Sequence, residues 1–447
     1  MPDKKNLIII GGGIAGLTAA VELSKNDIPV TLIEASGHLG GRCFSQTDRK
    51  TGDSIDNGQH ILAGAYRNFL ALPDDLGTSE LLYRLKPLKI PFFDLSGVKY
   101  YLDTSIFPGK AGMAAGLMRL KGISFKSKLN ALKFVWSVRS GKIDSKGKSA
   151  IEILKGSGQA NDIIERFWEP VIIATMNTLP ERASAAIFAT IINRLFLGDT
   201  SDSEMIIPKA GFSELLSPAE NIIKNAGGEI LLNTRVSSIG FANNRADKVI
   251  FSDGSELAAD AVIAAMPPYA LKKILPEKSE ITKNLDKFRY SPIVSVYLWF
   301  GGKISLPPMS AVLGGTSQWI FNKAFTSIRN HETSEAFPGF LEATVSAADE
   351  IFKLKSSEII ERCLSDIKKI YPESAESKLL HSRLFKEQHA TVIIDPETSE
   401  LRPDSRTDIE NLLLAGDWIN TGLPATIESA AASGKKAAGE VYSIIFD

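Results

Sequence analysis

Residues 7–24 read LIIIGGGIAGLTAAVELS. Four large aliphatics, three of them β-branched, run directly into a glycine cluster and then into a helix-type pattern, which gives strand, turn and helix in that order. Gly11, Gly13 and Gly16 satisfy G-x-G-x-x-G. The first glycine permits the tight turn, the second lets a pyrophosphate reach the backbone, and the third lets helix and strand pack closely. The helix start then turns its unpaired N–H groups and positive dipole end toward an anion. The next aliphatic stretch, IPVTLIEAS (28–36), reads as a second buried strand ending at Glu34, twenty-one residues beyond Gly13. A carboxylate there accepts the ribose hydroxyls of an adenosine and disfavours a 2′-phosphate. A glycine motif alone is a common turn, but with strand, helix, strand and acid in this order it points to a dinucleotide site. NAD and FAD both remain open on these residues.

The segment EASGHLGGR (34–42) follows, with Gly40, Gly41 and Arg42 just beyond the ribose-binding acid. A guanidinium there can pair with a pyrophosphate, and the glycines allow close backbone approach. This pattern resembles the extended FAD fingerprint of the flavin amine oxidase and carotenoid desaturase superfamily. The resemblance implies a discontinuous Rossmann-like α/β domain for FAD with an inserted α+β substrate domain. It also implies that the stretch some fifteen to twenty residues further on passes beside the isoalloxazine ring. That stretch is DSIDNGQHILAG (53–64). Asp56 and Asn57 can hold its loop, and Gly58 permits near contact. His60 is the one group there whose ordinary pKa suits proton transfer near neutrality, although a histidine fixing the loop by hydrogen bonds reads equally from the residues.

Two later segments read as returns to the nucleotide domain. IIPKAGFSELLSPAENIIKNAGGEILLNTRVSSI (206–239) and KVIFSDGSELAADAVIAAMPP (248–268) predict helix, strand, a hairpin turning at Asp253-Gly254, and a strand ending at Pro267. In NLLLAGDWINTGLPATIESAAASGKKAA (411–438), Leu412 to Ala415 is a strand, GDW a turn, and Ile427 onward a helix rich in small residues. Asp417 is placed to bond the ribityl or pyrophosphate end of FAD, and a helix starting near Thr426 and Ile427 offers its dipole to the flavin. Domain boundaries follow: residues 1–85, 205–285 and 390–447 form the FAD-binding domain, and 86–204 with 286–389 the substrate domain. The superfamily resemblance implies cofactor contacts from Gly11, Gly13, Ala15, Gly16, Glu34, Ala35, Gly41, Arg42, Gly58, Gln59, His60, Val236, Gly416, Asp417, Pro424, Ala425, Thr426 and Ile427.

Composition narrows the setting. The chain has 447 residues, 44% hydrophobic and 23% charged, with a formal net charge of −1. That balance excludes a protein that coats nucleic acid, which needs a net basic footprint. Two distant cysteines, Cys43 and Cys363, give neither a disulfide framework nor a metal site and fit a reducing cytoplasm. No apolar run is long enough to span a bilayer, and the start of the chain has no signal-peptide pattern. Charge is unevenly spread, however. From Lys110 to Lys155 there are eleven Lys or Arg against two acids, Asp144 and Glu152, interleaved with Met113, Leu117, Phe125, Leu129, Phe134 and Trp136. Basic amphipathic helices of this kind suit an anionic membrane surface, while the same pattern also fits a solvated helix pair packed on the core. The expected location is cytoplasmic and peripheral on the inner face of the cytoplasmic membrane.

The segment RFWEPVIIATMNTLPERAS (166–184) offers Trp168 and Asn177, with Asn57, as substrate-cavity residues and Glu169 as a second acid beside His60. Arg166 and Glu169 are also spaced for an i, i+3 ion pair. SPIVSVYLWF (291–300) reads as a strand of the substrate-domain sheet. Together with DNGQHILAGAYR, LPPM, QWIFNK and AGDWINTGLPATIESAAASG, these segments closely resemble the hydroxysqualene dehydroxylases over nearly the whole chain. The resemblance implies a squalene and hopanoid route in which two condensing enzymes supply hydroxysqualene and the flavoenzyme removes its hydroxyl reductively. An electron donor, a nicotinamide cofactor or a redox protein, must then reduce the flavin. Alternatives are a carotenoid-type desaturase, an amine oxidase, whose aromatic cage is not evident before LFKEQHATVII (384–394), and a non-enzymatic escort of prenylated proteins.

Overall fold

The computed structural model describes residues 5–86, 88–107, 109–276 and 279–446. Leu7–Ile10 is the central strand of a five-stranded parallel sheet ordered Glu229–Leu231, Val30–Ile33, Leu7–Ile10, Ala261–Ala264, Leu412–Leu414. All four residues of the central strand are buried, as expected for a parallel strand covered on both faces, where apolar residues run without alternation. The strands come from three distant parts of the chain, so nothing in any one segment closes this sheet.

The glycine turn leads into helix Ile14–Ser24, which packs against the C-terminal helix Ile427–Phe446. The crossing is close because a Cβ on Gly434 would stand 2.1 Å from the Ala15 carbonyl oxygen. On the opposite side, a Cβ on Gly16 would stand 1.9 Å from the Gly11 oxygen. Small residues at these points set helix against strand and helix against helix.

Between the parallel strands the chain forms a three-stranded antiparallel meander, Val236–Ala242, Arg245–Phe251 and Glu256–Ala258. Its second turn lies at Asp253-Gly254, where Gly254 has φ +87°. Its first turn, Asn243-Asn244, has φ +50° and +59°, the left-handed pair that a two-residue hairpin loop requires and that Asn tolerates. The final strand of this segment ends at Ala264, short of the expected Pro267, because Pro267 and Pro268 open helix Pro268–Ile274.

A seven-stranded sheet carries residues 89–103 and 290–392 in the order Leu379–Val392, Tyr290–Phe300, Gly339–Val345, Trp319–Asn322, Met309–Leu313, Lys89–Asp94, Lys99–Asp103. One face, with Val294, Val296, Leu298, Leu341 and Ala343, packs with Ile359, Cys363 and Ile367 of helix Ser356–Ile370 in one core cluster. The other face presents Ser295, Tyr297, Trp299, Phe340, Glu342 and Phe321 in register. Against this second face lie the 53–60 strip and a large core that includes helices Gly109–Arg119, Phe125–Arg139 and Ala185–Leu197. No helix of the described residues is long and apolar enough to cross a membrane.

Candidate active site

The glycine turn builds one end of the site. Glu34 leaves the second parallel strand and accepts hydrogen bonds from Gly12 N (2.7 Å) and Ser36 N (2.7 Å), with lone pairs remaining for further donors. Gly40 N donates to the Gly12 carbonyl (2.8 Å), which draws the 37–42 loop over the turn. A Cβ on Gly13 would meet only Gly41 Cα, at 3.9 Å, and the helix beginning at Ile14 has no side-chain cap. Its first amides are therefore open to an anion. Ala35 follows Glu34 in the same loop, and Val236 is buried at the start of the meander.

Arg42 ties this end to the C-terminal segment. Its guanidinium donates to Asp417 (2.8 Å) and to the Ala390 carbonyl (3.0 Å). Burial works against its charge, but Asp417 outweighs that effect and holds its pKa above the ordinary value. Gly416, at φ +145°, donates to Ser433 Oγ (2.8 Å). A residue not foreseen, Arg402, fixes the whole turn from beneath. It is buried and donates to the carbonyls of Leu423 (2.6 Å), Asp417 (3.1 Å) and Trp418 (3.2 Å). Burial lowers its pKa to about 10. Pro424, Ala425, Thr426 and Ile427 follow as the entry to the C-terminal helix, and Glu428 accepts from Phe69 N (2.9 Å) and Asn68 N (3.2 Å). That carboxylate serves as the N-terminal acceptor for helix Arg67–Leu76.

The strip 53–60 is neither a solvated turn nor a uniform polar face. Asp53 is buried and engages Arg329 through two bonds (2.7 and 2.9 Å) and Trp299 Nε1 (2.7 Å). Asp56 accepts from Ser45 Oγ (2.6 Å) and Phe212 N (3.0 Å), while its carbonyl accepts from the Tyr297 hydroxyl (3.1 Å). These two acids anchor the strip. Asn57 Oδ1 and His60 Nε2, by contrast, are buried with no hydrogen-bond partner. The His60 ring stacks edge-on against Phe212 (centroids 4.7 Å apart). Burial lowers its pKa, and Lys323 and Arg42 add to this against Asp56. Gly58 faces Ser295, whose Oγ would be 3.1 Å from a Cβ, and Gln59 accepts from Lys323 Nζ (2.9 Å).

Buried polar atoms left unpaired beside a glycine-lined cradle suit a bound polar group that supplies the missing partners. The residues present thus fit a flavin dinucleotide: carboxylate, open helix start and Arg42 at one end, unpaired amide and imidazole atoms at the other.

One expectation from the 166–184 segment is corrected. Arg166 pairs with Asp94, not with Glu169, because residues 164–168 form a π-turn that shifts the side chains off simple i, i+3 spacing. Trp168 is fully buried among Phe134, Phe167, Phe188 and Phe196, and donates to Gln159 (3.0 Å). Asn177, a left-handed C-cap at φ +48°, donates to Ser291 O and Thr391 Oγ1 and accepts from Ala347 N. Its amide clamps helix Glu169–Met176 to the seven-stranded sheet. Glu169 is raised in pKa by burial and by Glu181 and Glu165, whereas the charges acting on His60 are Asp56, Lys323 and Arg42.

This fold and cradle define an FAD-dependent oxidoreductase, and the chain belongs to the flavin containing amine oxidoreductase family, whose model matches residues 14–442. It is similar to a hydroxysqualene dehydroxylase of Sinorhizobium fredii (28% identical over 439 residues, 97% of each chain) and to one of Zymomonas mobilis (27% over 437 residues, 96% of this chain and 97% of the relative). A 15-cis-phytoene desaturase of Arabidopsis thaliana is 26% identical over 455 residues, covering 96% of this chain and 78% of the relative. Among solved structures, cyclohexylamine oxidase from Brevibacterium oxydans shares the fold with a TM-score of 0.74 at 15% identity, covering 99% of this chain and 100% of that one.

Proposed function

We propose that this protein removes the allylic hydroxyl of hydroxysqualene reductively to give squalene. The observation that carries the reading is end-to-end similarity to proteins named for that reaction. The nucleotide-binding unit comprises 1–85, 205–285 and 390–447, and the substrate-binding unit 86–204 and 286–389. Gly11, Gly13, Ala15 and Gly16 admit the pyrophosphate, Glu34 and Ala35 hold the adenosine ribose, and Val236 lies beside the adenine. Gly41, Arg42, Gly416 and Asp417 fix the pyrophosphate and ribityl end, and residues 424–427 aim a helix start at the ring. Bound FAD supplies the hydride.

The chain must supply a proton, because hydroxide is a poor leaving group. His60 is placed to deliver it, Asn57 to orient the hydroxyl, and Gly58 and Gln59 to keep the strip flat. The apolar surroundings of the strip, where the Phe212 ring packs on His60, exclude water that would add back to the carbon. The electron donor is a nicotinamide cofactor or a redox protein, and condensing enzymes upstream deliver the substrate.

The substrate is a lipid, and the helix Phe125–Arg139 offers a route to it at the inner face of the cytoplasmic membrane. Phe125, Trp136 and Leu129 are 67%, 57% and 47% exposed and fall on one stripe of that helix. Lys126 and Lys133 lie on the same helix, Lys121 precedes it, and Lys142 sits 4.3 Å over the Trp136 ring. Met113, Leu117, Phe134 and Val135 are buried, so one set of apolar residues in the 110–155 region packs the core and another faces out. A second reading, desaturation of a carotenoid-type polyene, is favoured by the similarity to phytoene desaturases.

The deciding experiment incubates chemically reduced, flavin-loaded protein anaerobically with hydroxysqualene and follows flavin reoxidation and squalene together. Coupled appearance is expected. Reduced flavin that persists without squalene refutes the dehydroxylase reading, and flavin reduction by phytoene then favours the desaturase.

A further inference from the structure

Behind the strip lie two buried ionisable side chains, Glu342 and Lys323, that the reaction does not use. Glu342 sits mid-strand in Gly339–Val345, opposite Tyr297 on one neighbour and Phe321 on the other, and its side chain is fully buried. Oε1 accepts from Thr344 Oγ1 (2.9 Å), but Oε2 has no hydrogen-bond partner. The Ser295 hydroxyl, likewise unpartnered, and the Gln59 backbone amide lie near enough to act on this carboxyl. Lys323, also buried, gives its hydrogen bond to Gln59 rather than to Glu342. An ionisable pair placed in an aromatic wall is unfavourable compared with apolar residues of similar size, so packing does not account for it.

Resting on the dehydroxylase reading, we propose that Glu342 is the proton store of this site, handing its proton by way of Ser295 toward the strip at Gly58–His60 and being reprotonated after each turnover. Exchanging C–OH for C–H consumes one proton and one hydride and releases one water: the C–O bond breaks, its electron pair leaves on oxygen with the proton, and the hydride forms the C–H bond. His60 is buried and biased toward its neutral form, so a proton it delivers must be replaced from a neighbouring group. Burial, by contrast, pushes the Glu342 carboxyl up to about 7, against Thr344, Lys323 and Ser295. It is therefore protonated in a large fraction of molecules at neutral pH. The groups facing this pair are Asp56, Asp53 and His60 from the strip, Tyr297 from the adjacent strand, and Cys363 from the helix behind the sheet. Arg329 holds Asp53 as a closed ion pair. Glu342 is thus a proton-supplying residue one step removed from the substrate.

The test uses flavin-loaded full-length protein and single-turnover reaction with hydroxysqualene between pH 5.5 and 9. For the wild type, the rate should fall as pH rises through a limb near neutrality. Glu342→Gln should slow the pH 6 rate by about 100-fold and abolish that limb, with substrate affinity retained. Lys323→Met should move the limb to higher pH, since Lys323 favours the ionised carboxylate. Infrared spectroscopy supplies a readout independent of turnover: a protonated-carboxyl band titrating near neutral pH, lost in Glu342→Gln. A wild type inert toward hydroxysqualene overturns the substrate reading before any variant is compared. With an active wild type, an unchanged rate and limb in Glu342→Gln, a limb unmoved in Lys323→Met, or no titrating band each overturns the proton store.

Discussion

A carboxyl that titrates at about 7 when folded and at the ordinary 4.5 when unfolded makes stability depend on pH in a defined direction. Below 4.5 both states carry the proton and Glu342 has no effect. Between 4.5 and 7 the unfolded chain ionises while the folded one does not, so stability falls with rising pH. Above 7 the folded protein carries the full penalty, 2.5 pH units at 1.36 kcal/mol each, or about 3 kcal/mol. Glutamine at 342 cannot ionise, yet its amide oxygen still accepts from Thr344. The expected result is that Glu342→Gln gains stability relative to the wild type as pH rises, with most of the 3 kcal/mol developing between pH 5 and pH 8.5. Urea unfolding of both proteins, saturated with flavin and followed by circular dichroism at four or five pH values, measures this directly. A difference between the two midpoints that stays constant across pH would refute the reasoning, because it would mean that Glu342 titrates alike in both states.

Two further outcomes follow from the geometry. Asp53→Asn leaves the Arg329 guanidinium, 4% exposed, without its counter-charge and should destabilise the protein by about 3–5 kcal/mol, read as a lowered urea midpoint; a loss below about 1 kcal/mol would show that the pair is solvated. Replacing Phe125 and Trp136 by serine should weaken co-sedimentation with anionic phosphatidylglycerol vesicles by about tenfold while leaving flavin content unchanged. No binding of the wild type to these vesicles, or no loss in the variant, would remove the lipid surface from the reading, and equal binding to zwitterionic vesicles would remove its anionic character.

The parallel sheet was legible because its signals are local. Aliphatic runs, glycines at fixed offsets and an acid at the strand end all lie within a few dozen residues. The C-terminal strand and helix were legible for the same reason, as was the strand Tyr290–Phe300. The anchors of the site were not. Arg402, Arg329 and Lys323 meet partners 15, 276 and 264 residues away, and Glu342 reaches the site only through sheet register. The partners of Trp168 and Asn177 were equally out of sight: Gln159, Ser291, Thr391 and Ala347 take up their polar atoms, and most of these lie far along the chain. The Asn243-Asn244 turn could have been found, since two consecutive asparagines between strand-like runs favour a left-handed hairpin loop.

The closing of Arg42 on Asp417 and of Gly434 on Ala15 also orders events during synthesis. Residues 7–42 emerge from the ribosome early and carry most of the glycine signature, but the fifth strand, the guanidinium's counter-ion and the helix that covers Ile14–Ser24 all lie beyond residue 411. Until those residues are made, the nascent chain lacks a neighbour for the Ala261–Ala264 strand and holds a half-built nucleotide cradle, a state prone to misassembly. A complete nucleotide cradle therefore forms only once residues 411–446 are in place against the 7–42 segment.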